Sequence, residues 1–199
     1  MVPMSVEEIA KAVDGRLVAG DGPAIEATET VTDSRQAGSG AVFVAIKGER
    51  VDGHDFVDKV ADQGAAAAIV DHEVACTTMP QIVVEDTVAA LGLLAKHNID
   101  RRRQLPGAFD LIGLTGSVGK TTTKDLLSAL LSTLGPTVAP IGSFNNEIGL
   151  PLTALRVNAD TRFFVAEMGA NHIGEIARLT RIAPVSYTHL RAHETSQDL

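Results

Sequence analysis

The run Thr115-Gly116-Ser117-Val118-Gly119-Lys120-Thr121-Thr122, directly behind the apolar stretch Phe109-Asp110-Leu111-Ile112-Gly113-Leu114, restricts this chain more than any other feature. An apolar strand that empties into a glycine-rich turn and then a helix presents main-chain N–H groups to an anion, with the positive end of the helix dipole behind them. Lys120 falls in the first turn of that helix, where the dipole disfavours a cation by roughly 0.3–1 kcal/mol. A bound phosphate removes the mismatch, so residues Thr115 to Thr122 are read as a cradle for the phosphates of a nucleotide. Thr121 supplies the hydroxyl that such loops set on Mg²⁺, which makes ATP with Mg²⁺ the expected ligand. The strict spacing G-x-x-x-x-G-K-[ST] would place a glycine at position 114, but the glycines stand at 113, 116 and 119, so the loop is a variant. A ligand-free turn accounts for the glycines and leaves Lys-Thr-Thr unexplained.

Around this unit, strands and helices alternate at the spacing of parallel crossovers, which predicts an α/β fold with ligands outside the carboxyl ends of the strands. Ser5-Val6-Glu7-Glu8 is a capping box that opens a helix ending at Gly15. Strands are predicted at 42–46, 66–70 and 81–84, with a helix at 55–63 and another running from an Asp86 cap to about Asn98. Residues 1–100 are thus expected to form a small N-terminal α/β domain. The segment 100–107, with Arg101-Arg102-Arg103 and Leu105-Pro106-Gly107, is the expected boundary, the arginines being a solvated helix end. A second, parallel-sheet domain spans 107–185, with a helix at 120–134, strands at 137–140 and 162–167, and a helix at 174–181. Residues 186–199 change character and carry no apolar period that would continue the sheet; they read as a foreign tail. His189 and His193 have the spacing of two metal ligands on one helical face, a weaker reading of the same stretch.

A balance of 17 basic to 25 acidic residues, net −8, argues against a nucleic-acid partner held through its phosphates. The single cysteine, Cys76, excludes an internal disulfide framework and a cysteine zinc site within one chain. No stretch approaches the ~18 apolar residues of a membrane span, and the N-terminus has no secretory pattern, so a cytoplasmic protein is expected.

Phe163-Phe164-Val165-Ala166-Glu167 puts a carboxylate at the carboxyl end of an apolar strand, on the edge that also holds the phosphate loop. A carboxylate withdrawn from water needs a partner, and Mg²⁺ takes one or two carboxylates plus phosphate oxygens, so Glu167 and Thr121 are the candidate metal ligands. Asn145, in Asn145-Asn146-Glu147-Ile148-Gly149, and His172 follow on polar turns near the same edge; a turn residue and a helix cap are their ordinary readings.

Three strings together resemble the Mur ligase family: Thr115-Gly116-x-x-Gly119-Lys120-Thr121-Thr122, Asn145-Asn146-Glu147-Ile148-Gly149-x-Pro151-Leu152-Thr153 and Glu167-Met168-Gly169-Ala170-Asn171-His172-x-Gly174-Glu175-Ile176. Thr32-Asp33-Ser34-Arg35, Phe43-Val44-Ala45-Ile46-Lys47-Gly48 and Asp52-Gly53-His54-Asp55-Phe56 resemble the UDP-sugar-binding domain of the same family. The resemblance implies a monomeric ATP-dependent ligase of peptidoglycan-precursor synthesis that adds D-alanyl-D-alanine to a UDP-N-acetylmuramoyl-tripeptide through an acyl phosphate. It implies catalytic roles for Lys120, Glu167 and His172, nucleotide contacts from the loop and Asn145, and substrate contacts from Ser34, Arg35, Lys47 and His54. Family members are longer, so the resemblance also implies a truncated central ATPase domain and a chain inactive by itself. A relative adding a single amino acid, a folylpolyglutamate synthase and a non-catalytic nucleotide-binding module remain alternatives.

Overall fold

A computed structural model describes residues 1–18, 20, 24–75, 78–170 and 173–185, together with the backbone of Tyr187–Arg191. Cys76, Asn171, His172 and the stretch 192–199 lie outside the described residues. The chain divides into two compact units, Met1–His97 and Asn98–Leu199.

The first unit opens with α1 (Val6–Ala12), whose Ser5 hydroxyl accepts the Glu8 N–H at 3.2 Å as the capping box requires. Strands β1 (Arg16–Val18), β2 (Glu29–Val31), β3 (Ala41–Val44), β4 (Ala67–Val70) and β5 (Gln81–Val83) build one sheet in the order β1-β5-β4-β3-β2. Neighbours are parallel from β2 through β5, and only β1 runs antiparallel, against β5. Both central strands, β3 and β4, are buried along their whole length, as expected of a parallel sheet covered on both faces. β1 and β2 are short, partly exposed edges with no strong pattern, which is why the sequence does not announce them. Between β3 and β4 a 3₁₀ turn (Gly53–Phe56) leads into α2 (Val57–Asp62), whose Val57 and Val60 pack with Phe43, Ala68 and Val70 in the core.

α3 (Thr87–Gln104) starts under the predicted cap, with Asp86 Oδ1 accepting the N–H groups of Val88 and Ala89 at 2.8 and 3.0 Å. It does not stop at Asn98, and the reading of the arginine run as a solvated helix end is corrected. Arg102 is 2 % exposed; its guanidinium donates to the carbonyls of Thr161 and Ala108 at 2.8 and 3.1 Å and lies over the Phe109 ring. Asn98 is fully buried and donates to the carbonyls of Ala154 and Val157 at 3.0 and 2.9 Å. These two polar side chains satisfy buried carbonyls of the second unit, and the helix runs on past Asn98 to Gln104, which carries Arg102 to its acceptors.

The second unit contains β6 (Asp110–Gly116), α4 (Lys120–Ser132), β7 (Thr137–Val138), α5 (Gly149–Ala154), β8 (Phe163–Glu167), α6 (Glu175–Ile182) and β9 (Tyr187–Arg191). Its sheet has the order β7-β8-β6-β9 and every neighbouring pair is parallel. β9 corrects the expectation that nothing in the last stretch continues the sheet: its backbone pairs with β6, Ile112 opposite Tyr187 and Gly116 opposite Arg191. An otherwise open edge of β6 meets a segment holding Tyr187, Thr188 and Leu190, residue types that suit a strand. With His189 in a strand, the pairing of His189 and His193 on a helical face loses its basis. α5 is likewise absent from the sequence reading; Asn146 Oδ1 accepts the N–H groups of Ile148 and Gly149 at 3.2 and 2.8 Å, turning the polar loop into a helix entry.

Candidate nucleotide and substrate sites

Parallel pairing sets Leu114 of β6 beside Glu167 of β8, so the glycine turn and the strand-end carboxylate emerge from one edge of the sheet. Gly113 takes no part in the turn. It sits within β6, where an added Cβ would meet Val185 Cγ1 at 2.5 Å. The turn proper is framed by Gly116 and Gly119, whose φ angles of 145° and 78° favour glycine. Gly119 is the residue from which α4 starts, with the Thr123 N–H bonded to its carbonyl at 3.0 Å. The first N–H groups of such a helix have no acceptor within it and face the turn.

A cavity of about 380 Å³ lies at this edge of the second unit, lined by residues Ser117–Thr122 of the loop together with Ser143, Asn145 and Glu167. The Lys120 ammonium folds back on the loop, donating to the Gly116 carbonyl at 2.5 Å and reaching the Ser117 carbonyl at 3.5 Å. Glu167 is fully buried. Its Oε1 accepts the Thr121 hydroxyl at 3.3 Å and the Asn145 amide at 2.9 Å, while Oε2 has no hydrogen-bond partner. A buried carboxylate oxygen with no donor is costly by itself. The donor set fits a hard cation: one carboxylate oxygen and one hydroxyl oxygen from the protein, leaving the remaining positions to phosphate oxygens and water. Asn145 is held from both ends, its carbonyl accepting the Gly169 N–H at 3.0 Å. A Cβ at Gly169 would lie 2.6 Å from Asn145 Cγ, so that glycine is what lets the amide reach the carboxylate. Thr115 precedes the loop at the end of β6, Thr122 is part of the cavity lining, and His172 lies outside the described residues.

In the first unit, the carboxyl ends of β2, β3 and β4 gather the substrate candidates on one edge. Ser34, just past β2, is buried at 8 % exposure. Arg35 is open to solvent and forks onto Asp33, with Nε 2.9 Å from Oδ1 and Nη2 2.6 Å from Oδ2. That guanidinium, with the Arg35 N–H, holds the Asp33 carboxyl down at about 2. Lys47 is exposed, and its backbone pairs with that of Asp52 in an isolated antiparallel β-bridge across a tight turn after β3. His54 is 5 % exposed and both ring nitrogens are engaged: Nδ1 lies 2.6 Å from Asp52 Oδ1, and Nε2 accepts the Asp71 N–H at 3.1 Å. The His54 main-chain N–H and ring keep the Asp52 carboxyl below its ordinary range. His54 therefore ties the turn after β3 to the end of β4, and His72 stacks on it with ring centroids 4.5 Å apart. Asp71 and His72 escape sequence reading because the parallel pairing of β3 and β4 is what brings them to His54.

The Asp33–Arg35 fork carries a direct prediction. Arg35→Ala is expected to return the Asp33 carboxyl from about 2 toward 3.8, followed by NMR titration of the side-chain carboxyl. Because the folded-state value is depressed, the pair's contribution to stability is complete above 3.8 and is lost as pH falls toward 2.

Fold and cavity together are those of an α/β protein of the phosphate-loop type, preceded in the sequence by a second α/β unit. The chain belongs to the Mur ligase family. Residues 27–99 match the family's catalytic-domain model and residues 114–198 its middle-domain model. The chain is 39 % identical to the UDP-N-acetylmuramoyl-tripeptide–D-alanyl-D-alanine ligase of Escherichia coli (strain K12), over 89 % of its own length and 37 % of the relative's. For the ligase of the same description from Bacillus subtilis (strain 168) the identity is 40 %, over 92 % of this chain and 39 % of the relative. Among solved structures, a crystal structure of MurF from Acinetobacter baumannii superposes with a TM-score of 0.84 at 38 % identity, covering 94 % of this chain and 40 % of that one. MurF ligase from Thermotoga maritima in complex with ADP gives 0.73 at 35 % identity, covering 84 % and 38 %. The chain thus spans about two fifths of the length of the relatives it matches.

Proposed function

We propose that this chain is the UDP-substrate domain and the leading part of the ATP domain of a ligase that joins D-alanyl-D-alanine to a UDP-N-acetylmuramoyl-tripeptide. The observation that carries the proposal is the buried, unpartnered Oε2 of Glu167 beside the Thr121 hydroxyl in the loop-lined cavity. A γ-phosphoryl group moves to the substrate carboxylate without a protein nucleophile, so positioning and charge neutralisation are what the chain must provide. Loop amides from Gly116 to Thr121 grip the β- and γ-phosphates, and Lys120 turns from its loop carbonyls to the same oxygens. Thr121 and Glu167 would hold Mg²⁺, which when bound neutralises charge building on the transferred group. Asn145 fixes the Glu167 rotamer, and a catalytic role is assigned to His172 on the family resemblance alone. Ser34, Arg35 and Lys47 are assigned to the UDP moiety, with His54 bracing the turn that presents Lys47. The reading makes the protein a cytoplasmic monomer that uses ATP, and the ADP-bound Thermotoga relative supports that nucleotide.

The test is phosphate release by the ligase containing this segment in full, with the UDP-tripeptide and either D-alanyl-D-alanine or single amino acids. Release with the dipeptide and background with single amino acids is the expected result. Turnover driven by one amino acid would point instead to a ligase of different specificity within the family.

A further inference from the structure

Lys124 lies one helical turn beyond Lys120 in α4, yet it is 2 % exposed and touches no part of the phosphate loop in the described contacts. An ammonium group has three donors, and here each has an acceptor: the carbonyls of Pro140 and Gly142 at 3.0 Å each, and Asp125 Oδ1 at 2.7 Å. A lysine is seldom buried this far, and its burial is tolerated only because the set of partners is complete. Both carbonyls belong to the segment that leaves β7 and, three residues after Gly142, delivers Asn145 to Glu167 Oε1 at 2.9 Å. Gly142 has a φ of 62°, a conformation open mainly to glycine, so the chain reverses where the lysine holds it. The segment is otherwise lightly secured: Ile141 and Phe144 are 70 % and 56 % exposed.

We propose that Lys124 is a positioning residue for the metal–nucleotide site: by pinning the Pro140–Gly142 carbonyls to α4 it sets Asn145 on Glu167, and so aims the unpartnered Glu167 oxygen at the cation. The inference rests on the reading of the cavity as an Mg²⁺–nucleotide site. Phosphate-loop contacts do not depend on Lys124, so its loss should be felt where the metal contributes and nowhere else. Among the described residues the charged group paired with Lys124 is Asp125 on the same helix, whose own side chain is largely exposed.

Calorimetric titration of the 199-residue chain with ADP, in excess Mg²⁺ and in EDTA, separates the two contributions. Lys124→Met is expected to reduce the Mg²⁺-dependent gain in ADP affinity by about tenfold, the effect typical of a residue supporting a metal ligand. Affinity in EDTA should stay within about twofold of wild type, because the loop is untouched. In an Asn145→Ala background Lys124→Met should produce no additional loss, since the route through Asn145 is already cut. Should the methionine variant fail to fold, Lys124→Arg keeps the charge but not the seat between the carbonyls, and is expected to reduce the same gain. An unchanged gain, an equal fall with and without Mg²⁺, or additive losses in the double variant would each overturn the proposal. A wild-type chain that binds ADP equally with and without Mg²⁺ would overturn the reading of the cavity itself, and this inference with it.

Discussion

Lys120→Ala is expected to weaken ATP binding by about a hundredfold, close to 2.8 kcal/mol at about 1.4 kcal/mol per decade. Two effects enter that loss with opposite signs, and the phosphate contact is the larger. The ammonium now donates to the Gly116 and Ser117 carbonyls and so closes the loop over its own main chain. When phosphates arrive, the same group exchanges neutral carbonyls for oxygens that carry charge, a stronger bond in a site partly withdrawn from water. Alanine removes both, and arginine is not expected to restore them, because a planar fork replaces a point donor at the end of a flexible stem. Calorimetry with ATP and Mg²⁺ measures the loss. An affinity within about twofold of wild type would mean that Lys120 is a helix residue and not a phosphate ligand.

Glu167→Gln is expected to move binding and stability in opposite directions. Glutamine keeps the shape and the Oε1 acceptor for Thr121 and Asn145, but it removes a buried negative charge whose second oxygen has no partner. Replacing an unpaired buried charge with a neutral amide should raise the stability of the nucleotide-free chain by about 1–3 kcal/mol, read from urea unfolding. In the same variant the benefit of Mg²⁺ to ATP affinity should fall at least about tenfold, because a neutral amide is a poor ligand for a hard cation. A functional site that stores instability in this way is a familiar compromise between stability and activity. If the variant were less stable than wild type and kept its Mg²⁺ response, Glu167 would be a structural hydrogen-bond acceptor only.

Elements that follow from local pattern are legible in the sequence itself. The loop from Gly116 to Thr122, the strand ending at Glu167, the Ser5 and Asp86 caps and the buried runs at β3 and β4 all follow from periodicity, glycine placement and capping chemistry. What stayed hidden depends on contacts between distant segments. Lys124 beside Asp125 reads as an ordinary solvated pair, and nothing in the sequence says that two carbonyls 16 and 18 residues on will receive its ammonium. Arg102 looks like the middle of a surface run until Thr161 and Ala108 offer it buried carbonyls. Asn145 stands in a polar turn that the sequence marks only as a candidate; that its amide is committed to Glu167 depends on a contact 22 residues away. Short edges such as β1 and β2 failed for another reason: three residues at a sheet margin carry too little burial to impose a pattern.

The central claim is that the bend between β6 and α4 holds the terminal phosphates of ATP, with Glu167 and Thr121 facing the cation that accompanies them. A crystal of this chain grown with a nonhydrolysable ATP analogue and Mn²⁺ in place of Mg²⁺ tests it most directly. The account predicts β- and γ-phosphate density against the amides of Gly116 to Thr121, and an anomalous peak in contact with the Thr121 hydroxyl and Glu167 Oε2. Analogue bound elsewhere, or phosphates in the bend with the metal away from Glu167, would contradict it.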